Sequence, residues 1–556
     1  MSETNDPASD FGANAPAVPL GWWPWSPAFA FLGVMVVYLA TMMPGPAFMD
    51  TGEFQTVTYV LGVAHPTGYP FYTMLGKLFG TLVPIGSWAY RMNLMSVLCA
   101  SSAAAVLVVF SRRCGVSTLI GVAAALSFAF SLNTWRSGGR ADPYSLTVLI
   151  GASLWLLALR WRESGDRRTV WLMALIAGLG LGSAGVLSME LPAIILFLVL
   201  AQPRRFFHPL TMIVAALIGV VALVGVYLYL PLRSAMHPPL NYGNTYTWEG
   251  FKFVALGGQV GGIINYATMD GVRMFIRRLP EAIGWFEEWL TPGGFIAASV
   301  LAAIGSVILA VRDWRLALCV VIGFVVPIYP TLTVPINDTT HYVLISVWLL
   351  FFAAAITIDA TLRQVLALLK NVASAPQLAL GVEAAVLALP ILLAWHNWSA
   401  ADNHDYREGE ILARNVFQQI EPDAVVFCWW GPSNALWYAH YVEGMGTRVN
   451  IYDDSSTLDN GWGGVVPAIG LFYPKRPVYL LPIGDEIDTI KKKYQVRTIG
   501  DLHAFGQTMY QVTGVQTPAP TLSAAATPVT ATPTKPKANQ STAASKKHHP
   551  IHPHDD

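Results

Sequence analysis

Long apolar runs, separated by short loops that carry arginines, dominate this chain and limit what it can fold into. They fall at residues 28–43, 92–110, 116–131, 144–159, 170–187, 189–201, 209–230, 294–311, 316–332, 342–358 and 378–395. A helix needs roughly 20 mostly apolar residues to cross the hydrocarbon core. Backbone in lipid must satisfy its own hydrogen bonds, so such runs read as helices. The expectation is a polytopic α-helical membrane protein with about eleven transmembrane helices. The run at 189–201 is short and reads as tilted or extended past Pro192. Residues 71–85 are interrupted by Lys77, Gly80 and Pro84, and read as an interfacial segment packed on the bundle. Composition agrees: only 12% of residues are charged, against about 25% in an ordinary soluble domain.

Basic loops give an orientation. Arg112, Arg113, residues 160–168, Arg204, Arg205, Arg312, Arg315, Arg363 and Lys370 fall on one side when the runs are counted alternately. That side reads as cytoplasmic, together with the N-terminus. Residues 50–70, 133–143, 231–293, 334–341 and everything after Trp395 then face outward, across a bacterial inner (plasma) membrane. Arg136, Arg140 and Arg233 lie on that outer side, against the charge rule. They are candidates for anion binding, with snorkelling to lipid headgroups as the alternative. The acidic N-terminus has no Lys or Arg and does not resemble a cleaved signal peptide. Lys+Arg and Asp+Glu number 34 each, with no clustered basic face, so nucleic acid is not an expected partner. Cys99, Cys114, Cys319 and Cys428 show no paired spacing and imply neither disulfides nor zinc.

The composition changes after Trp395. Residues 406–420 and 433–443 read as helices, and 424–430, 448–452 and 477–481 as strands. This alternation predicts a small outer-face α/β domain at 396–515. It has no glycine-rich phosphate loop and hence no expected nucleotide site. The Pro/Ala/Thr/His-rich stretch 516–556 reads as a disordered tail and 1–27 as a flexible N-terminal segment. The terminal histidines read as solvated rather than metal-binding. Residues 28–395 form the expected membrane domain.

The chemistry centres on Asp50-Thr51-Gly52-Glu53 and Leu61-Gly62-Val63-Ala64-His65-Pro66-Thr67-Gly68-Tyr69-Pro70, just beyond the first apolar run. Charges at a membrane edge are costly and often functional. Asp50 and Glu53 are three residues apart, so they share a face if the segment is helical. The glycines and prolines predict instead a shaped re-entrant loop. The bland alternative is a polar connector with a helix-capping Asp50. Other outer-side candidates are Arg136, Arg140, Asp142, Arg233, His237, Glu249, Asp338 and His341. Asp142 also suits a helix cap, Glu249 a helix start and Asp338 a turn. For His65 a structural hydrogen bond competes with chemistry. A carboxylate can take the proton of an attacking alcohol, and a guanidinium can hold a phosphate through two hydrogen bonds. Together they suit sugar transfer from a lipid phosphate, whose leaving group gains charge.

The first-loop motif resembles that of a membrane protein family, the protein O-mannosyltransferase-like proteins. Further matches are Arg91-Met92-Asn93-Leu94, the segment 227–234 ending in Arg233-Ser234, and Pro238-Pro239-Leu240-Asn241-Tyr242-Gly243. The resemblance covers most of 28–450. It implies a GT-C-like bundle and an inverting glycosyltransferase fed by a polyprenyl-phosphate-linked sugar donor. The acceptor would be a hydroxyl of a protein Ser/Thr or an envelope glycan. Asp50 and Glu53 match the family's catalytic acidic motif. His65, Tyr69, Arg140, Asp142 and Arg233 are the expected substrate-binding residues. Two departures stand out. Asp142 replaces a more usual Glu, and Ser183-Ala184 stand where relatives tend to carry Asn-His.

Two other functions fit a chain of this kind: a transporter or flippase of a lipid-linked or small polar substrate, and an inactive scaffold relative. Transporters often show paired broken helices in matching halves. Here one irregular loop near the start has no matching partner, which favours the enzyme. No cofactor is required by the sequence. A divalent cation at Asp50 and Glu53 is a candidate, on two carboxylates without fixed further ligands.

Overall fold

Proline and glycine, more than hydropathy, decide where the apolar runs become helices. The computed structural model describes residues 23–258, 268–333, 339–368, 381–382, 384–482 and 484–516. The segment up to residue 22, Asp338, and the tail from 517 with its histidines lie outside the described residues.

Helix α1 (Ser26–Thr41) has 16 residues and stops before Pro44 and Pro46. At about 1.5 Å per residue it rises roughly 24 Å, short of a hydrocarbon core of about 30 Å. The run at 170–187 yields a helix of 14 residues, Arg167–Gly180, and the run at 189–201 one of 11, Leu191–Ala201. Among the described residues, six helical stretches are long and apolar enough to cross a membrane: Trp88–Arg113, Pro143–Ser164, Pro209–Ser234, Gly293–Thr333, Thr340–Leu368 and Ala384–Ala401. A seventh appears if Thr118–Phe130 and Leu132–Gly138, bent by 71°, count as one. The expectation of about eleven spans is therefore not reproduced. The runs at 294–311 and 316–332 lie in one stretch, broken at Asp313, whose backbone leaves the helical region, and again at residues 326–327. Asp313 there forms an ion pair with Arg162.

The expected re-entrant loop is also different. Residues 49–60 form a helix, α2 (Met49–Val60), and only 61–69 are irregular before α3 (Pro70–Leu82). Gly52 does not break α2. A β-carbon at Gly52 would lie 2.1 Å from the Ala47 carbonyl oxygen, so glycine is what lets α2 approach the preceding segment. Lys77 and Gly80 likewise sit inside α3, which ends before Pro84.

Helix α4 (Trp88–Arg113) packs against α1, α5 (Thr118–Phe130), α6 (Leu132–Gly138) and α7 (Pro143–Ser164). One buried amide holds the site's framework together. Asn93 Oδ1 accepts from Gln55 Nε2 at 3.1 Å and from Ala141 N at 2.8 Å, and its Nδ2 donates to the Met43 carbonyl at 2.7 Å. Gln55 Oε1 accepts from Ala47 N at 3.1 Å. The matched motif around Asn93 thus ties α2, α4 and the entry to α7 at one point.

Residues 408–516 add helices and a five-stranded sheet, β1 (Val425–Cys428), β2 (Asn450–Tyr452), β3 (Val478–Leu481), β4 (Tyr494–Asp501) and β5 (Thr508–Val515), in the order β2-β1-β3-β5-β4. β1 runs parallel to β2 and β3, while β5 is antiparallel to β3 and β4. β1 is buried throughout, as its continuous apolar run requires of a central parallel strand. The helix Trp430–Tyr441 lies along α2, so this unit roofs the segment that carries Asp50.

Candidate active site

The residues of the first-loop motif meet at the start of α2. Asp50 is in its first turn, where the positive end of the helix dipole favours a carboxylate. Its side chain is 40% exposed. Glu53, one turn on, is fully buried, and both its oxygens are occupied. Oε1 accepts from the His65 backbone N at 2.7 Å, and Oε2 lies 2.5 Å from His65 Nδ1. Glu53 thus holds His65 through both its oxygens, whereas Asp50 is the more exposed of the two carboxylates.

His65 sits between them, with Nε2 at 3.9 Å from Asp50 Oδ2. Burial alone would lower its pKa, but the charges of Glu53 and Asp50 and the bond to Glu53 raise it from 6.5 to about 9. In its protonated form the ring carries a positive charge beside the two carboxylates. Tyr69 closes the far side. Its hydroxyl is 3.4 Å from His65 Nε2 and 3.4 Å from the Tyr144 hydroxyl. Trp430, from the α/β unit, sets its ring edge against His65, with centroids 5.9 Å apart.

A cleft of about 210 Å³ opens in front of Asp50. Arg140, Asp142, Tyr144 and His341 form its opposite wall, and Tyr406 and Phe505 close it from the C-terminal unit. Asp142 caps α7: Oδ1 accepts from Tyr144 N at 2.7 Å. Its Oδ2 lies 3.9 Å from Arg140 Nε. Burial pushes the Asp142 carboxyl up, against the lowering effect of His341, Arg140 and the cap. Arg140 makes no hydrogen bond among the described residues, and its Nε is buried without a partner. Such a guanidinium is set to receive an anion.

The other two outer arginines are committed. Arg233 donates from Nε to the Leu61 carbonyl at 2.7 Å and from Nη2 to that of Val60 at 3.2 Å, which caps the C-terminus of α2. It is not among the residues that line this cleft, and its bonds clamp the helix end. Arg136 binds the Ala400 carbonyl and Glu288. Ser183, at the position of the second departure, is fully buried with its hydroxyl 3.2 Å from that of Thr147. His341 and Tyr144 are the cleft residues that the motif reading passed over. His341 stood among the outer-side candidates, but it is nearly two hundred residues from Asp142, and only the folded chain stacks its ring on Tyr144, with centroids 5.2 Å apart.

Ligand atoms of Asp50, Glu53 and His65 all lie within 4.8 Å of one another, close enough to share a cation.

Comparison with known proteins assigns the class. Two crystal structures of ArnT from Cupriavidus metallidurans, one apo and one bound to undecaprenyl phosphate, superpose with TM-scores of 0.56 and 0.52. Each is 13% identical in sequence, and each alignment covers 88% of this chain and 98% of the other. The architecture is the membrane helical fold of GT-C glycosyltransferases. Residues 50–206 match the family described as protein O-mannosyl-transferase TMEM260, N-terminal domain. The mouse protein O-mannosyl-transferase TMEM260 is 25% identical over 458 residues, 76% of this chain and 62% of the mouse protein. The Dictyostelium discoideum protein of the same description is 25% identical over 295 residues, 50% of this chain and 35% of that one. The chain is thus an integral membrane protein of GT-C fold that is similar over part of its length to protein O-mannosyl-transferases, and it spans under two thirds of either relative. Both relatives are eukaryotic, so the expected bacterial inner membrane draws no support from them.

Proposed function

We propose that the protein transfers a sugar from a polyprenyl-phosphate-linked donor to a hydroxyl of a protein Ser/Thr or glycan, on the outer face of the membrane. One observation carries the reading: an accessible carboxylate, Asp50, and a guanidinium that makes no hydrogen bond among the described residues, Arg140, line a single cleft. The acceptor oxygen attacks the anomeric carbon as the bond from that carbon to the phosphate oxygen breaks. The electron pair leaves with the polyprenyl phosphate, and the acceptor proton passes to Asp50. A single displacement of this kind inverts the anomeric centre. Arg140 holds the phosphate as its charge grows, where a preorganised donor is most effective. His65, held by Glu53, lies beside the Asp50 carboxylate. Asp142 and the α7 cap restrain Arg140. The resemblance to an undecaprenyl-phosphate-bound neighbour supports a lipid carrier as donor.

The test is transfer from a radiolabelled polyprenyl-phosphate mannose to a membrane-impermeant acceptor, with the protein in vesicles of both orientations. The reading expects labelled acceptor and free polyprenyl phosphate in one orientation only. Movement of intact donor across the bilayer, with no acceptor labelled, would instead favour a flippase.

A further inference from the structure

The matched segment 238–243 is not used by the cleft, yet it lies close behind it. Val63 N donates to the Leu240 carbonyl at 2.9 Å, and Tyr242 N donates to that of Val63 at 3.2 Å. This short parallel bridge ties the segment to the loop that carries His65. On its other side the segment meets the α/β unit. The Tyr242 hydroxyl lies 3.3 Å from Asp453 Oδ2, Gly243 N donates to Asp459 at 3.0 Å, and Asn244 Nδ2 donates to the Asp459 carbonyl at 3.1 Å.

A second cleft of about 230 Å³ lies along this seam. Its chemistry differs from that of the first. The walls carry the amides of Asn241, Asn244, Asn450 and Asn460, the hydroxyls of Ser455 and Ser456, and the Asp459 carboxylate. Trp437, Tyr441 and Tyr452 supply flat aromatic surface. No lysine or arginine lines it among the described residues. Its one basic lining residue among those described is His237, and Arg476 is committed to the Asn450 amide, so the walls are predominantly neutral. Amides offer donors and acceptors together, and so do hydroxyls, which suits a ligand whose polar groups are hydroxyls. Aromatic rings add an apolar face for the carbon skeleton of such a ligand. The Asn241 amide is lightly held, with one bond of 3.5 Å to the Ser234 carbonyl and no partner at Oδ1, so it is free to turn toward a guest.

We propose that this cleft binds a neutral carbohydrate residue. On the transferase reading above, that residue belongs to the acceptor, a glycan or glycosylated chain held behind the reacting hydroxyl. A bare peptide is the weaker fit. β2 is an edge strand, but it has only three residues, and Trp437 Nε1 already donates to the Ile451 carbonyl at 3.3 Å. That leaves little ladder on which a peptide could add as a strand.

The experiment is saturation-transfer NMR on the full-length protein in lipid nanodiscs. The probes are methyl α-D-mannopyranoside, methyl β-D-glucopyranoside, methyl N-acetyl-β-D-glucosaminide and a Ser/Thr-containing hexapeptide. Ser455→Trp fills the cleft and the milder Asn460→Ala strips one amide, with thermal unfolding confirming that each variant is folded. At least one glycoside should bind saturably to the wild type and about tenfold more weakly to Ser455→Trp, a difference of about 1.4 kcal/mol. Asn460→Ala should weaken it less, and neither change should alter binding of undecaprenyl phosphate. No glycoside binding to the wild type, equal binding to a folded Ser455→Trp, or peptide binding that the variant abolishes would each overturn the proposal. Its failure is separable from that of the transferase reading. Transfer without glycoside binding removes only this site, and glycoside binding without transfer removes only the enzyme.

Discussion

The two walls of the first cleft are built in opposite ways. Behind the α2 side, outside the cleft lining, Glu53 gives both oxygens to His65, Gln55 is fixed by Asn93, and Arg233 caps the helix end. On the α7 side, Arg140 has no hydrogen bond among the described residues and meets Asp142 only at 3.9 Å. A wall whose polar groups are satisfied sets geometry. A wall that leaves a guanidinium unspent waits for a ligand to complete it. On the proposed function, the difference separates residues that would perform or support the chemical step from one that would receive the donor.

The largest expected effect breaks the first wall at its single accessible group. Asp50→Asn removes the basic oxygen but keeps the shape, and turnover should fall by roughly 10²–10⁴-fold. Steady-state transfer by purified, folded protein measures it. Near-normal turnover would mean that Asp50 is not the base, and would make Asp142 the next candidate.

A second substitution sharpens the comparison by unlocking that wall. Glu53→Gln should lower stability by about 1–3 kcal/mol through the weakened buried bond to His65, and turnover less than Asp50→Asn does. The pH dependence gives the sign. His65 is raised from 6.5 to about 9 in the folded protein. Its contribution is therefore fully present below about pH 6.5 and is lost as pH rises through about 9. The wild-type melting temperature should fall across that window, and the Glu53→Gln profile should be flatter. Parallel profiles would show that the pair does not govern stability there.

The smallest effect concerns the two arginines that looked alike in the sequence. Arg233→Ala removes bonds to the carbonyls of Val60 and Leu61 and should cost about 1–2 kcal/mol of stability. Donor affinity per folded molecule should stay unchanged. Weakened donor binding without loss of stability would return Arg233 to the substrate.

What could be read in the sequence, and what could not, follows the same division. Asp50, Glu53 and His65 lie within sixteen residues of one another, so spacing and a dense motif pointed to them. Arg140 stood out because topology disfavours a cation on that side. The unequal roles of Asp50 and Glu53 were hidden, because they depend on how 61–69 folds back onto α2. The helical state of α2 was missed because Gly52 reads as a breaker, whereas here it relieves a clash with the Ala47 carbonyl. Helix ends were misplaced because hydropathy is blind both to breaks such as Gly182, which shortens the run at 170–187, and to polar ends that remain helical, as in Trp88–Arg113 and Pro143–Ser164. The β4–β5 pairing was absent from the sequence reading, since its strands are largely half-exposed and lack the continuous apolar run that marked β1.

Binding of undecaprenyl phosphate, the donor without its sugar, compared between Asp50→Asn and Arg140→Ala in nanodiscs, tests the central claim most directly. If Arg140 receives the phosphate and Asp50 acts only in transfer, Asp50→Asn should bind as tightly as the wild type. Arg140→Ala should bind about 30- to 150-fold more weakly, the equivalent of about 2–3 kcal/mol for a charge-assisted contact. Equal affinity in all three proteins, or a loss confined to Asp50→Asn, would contradict the division of the cleft.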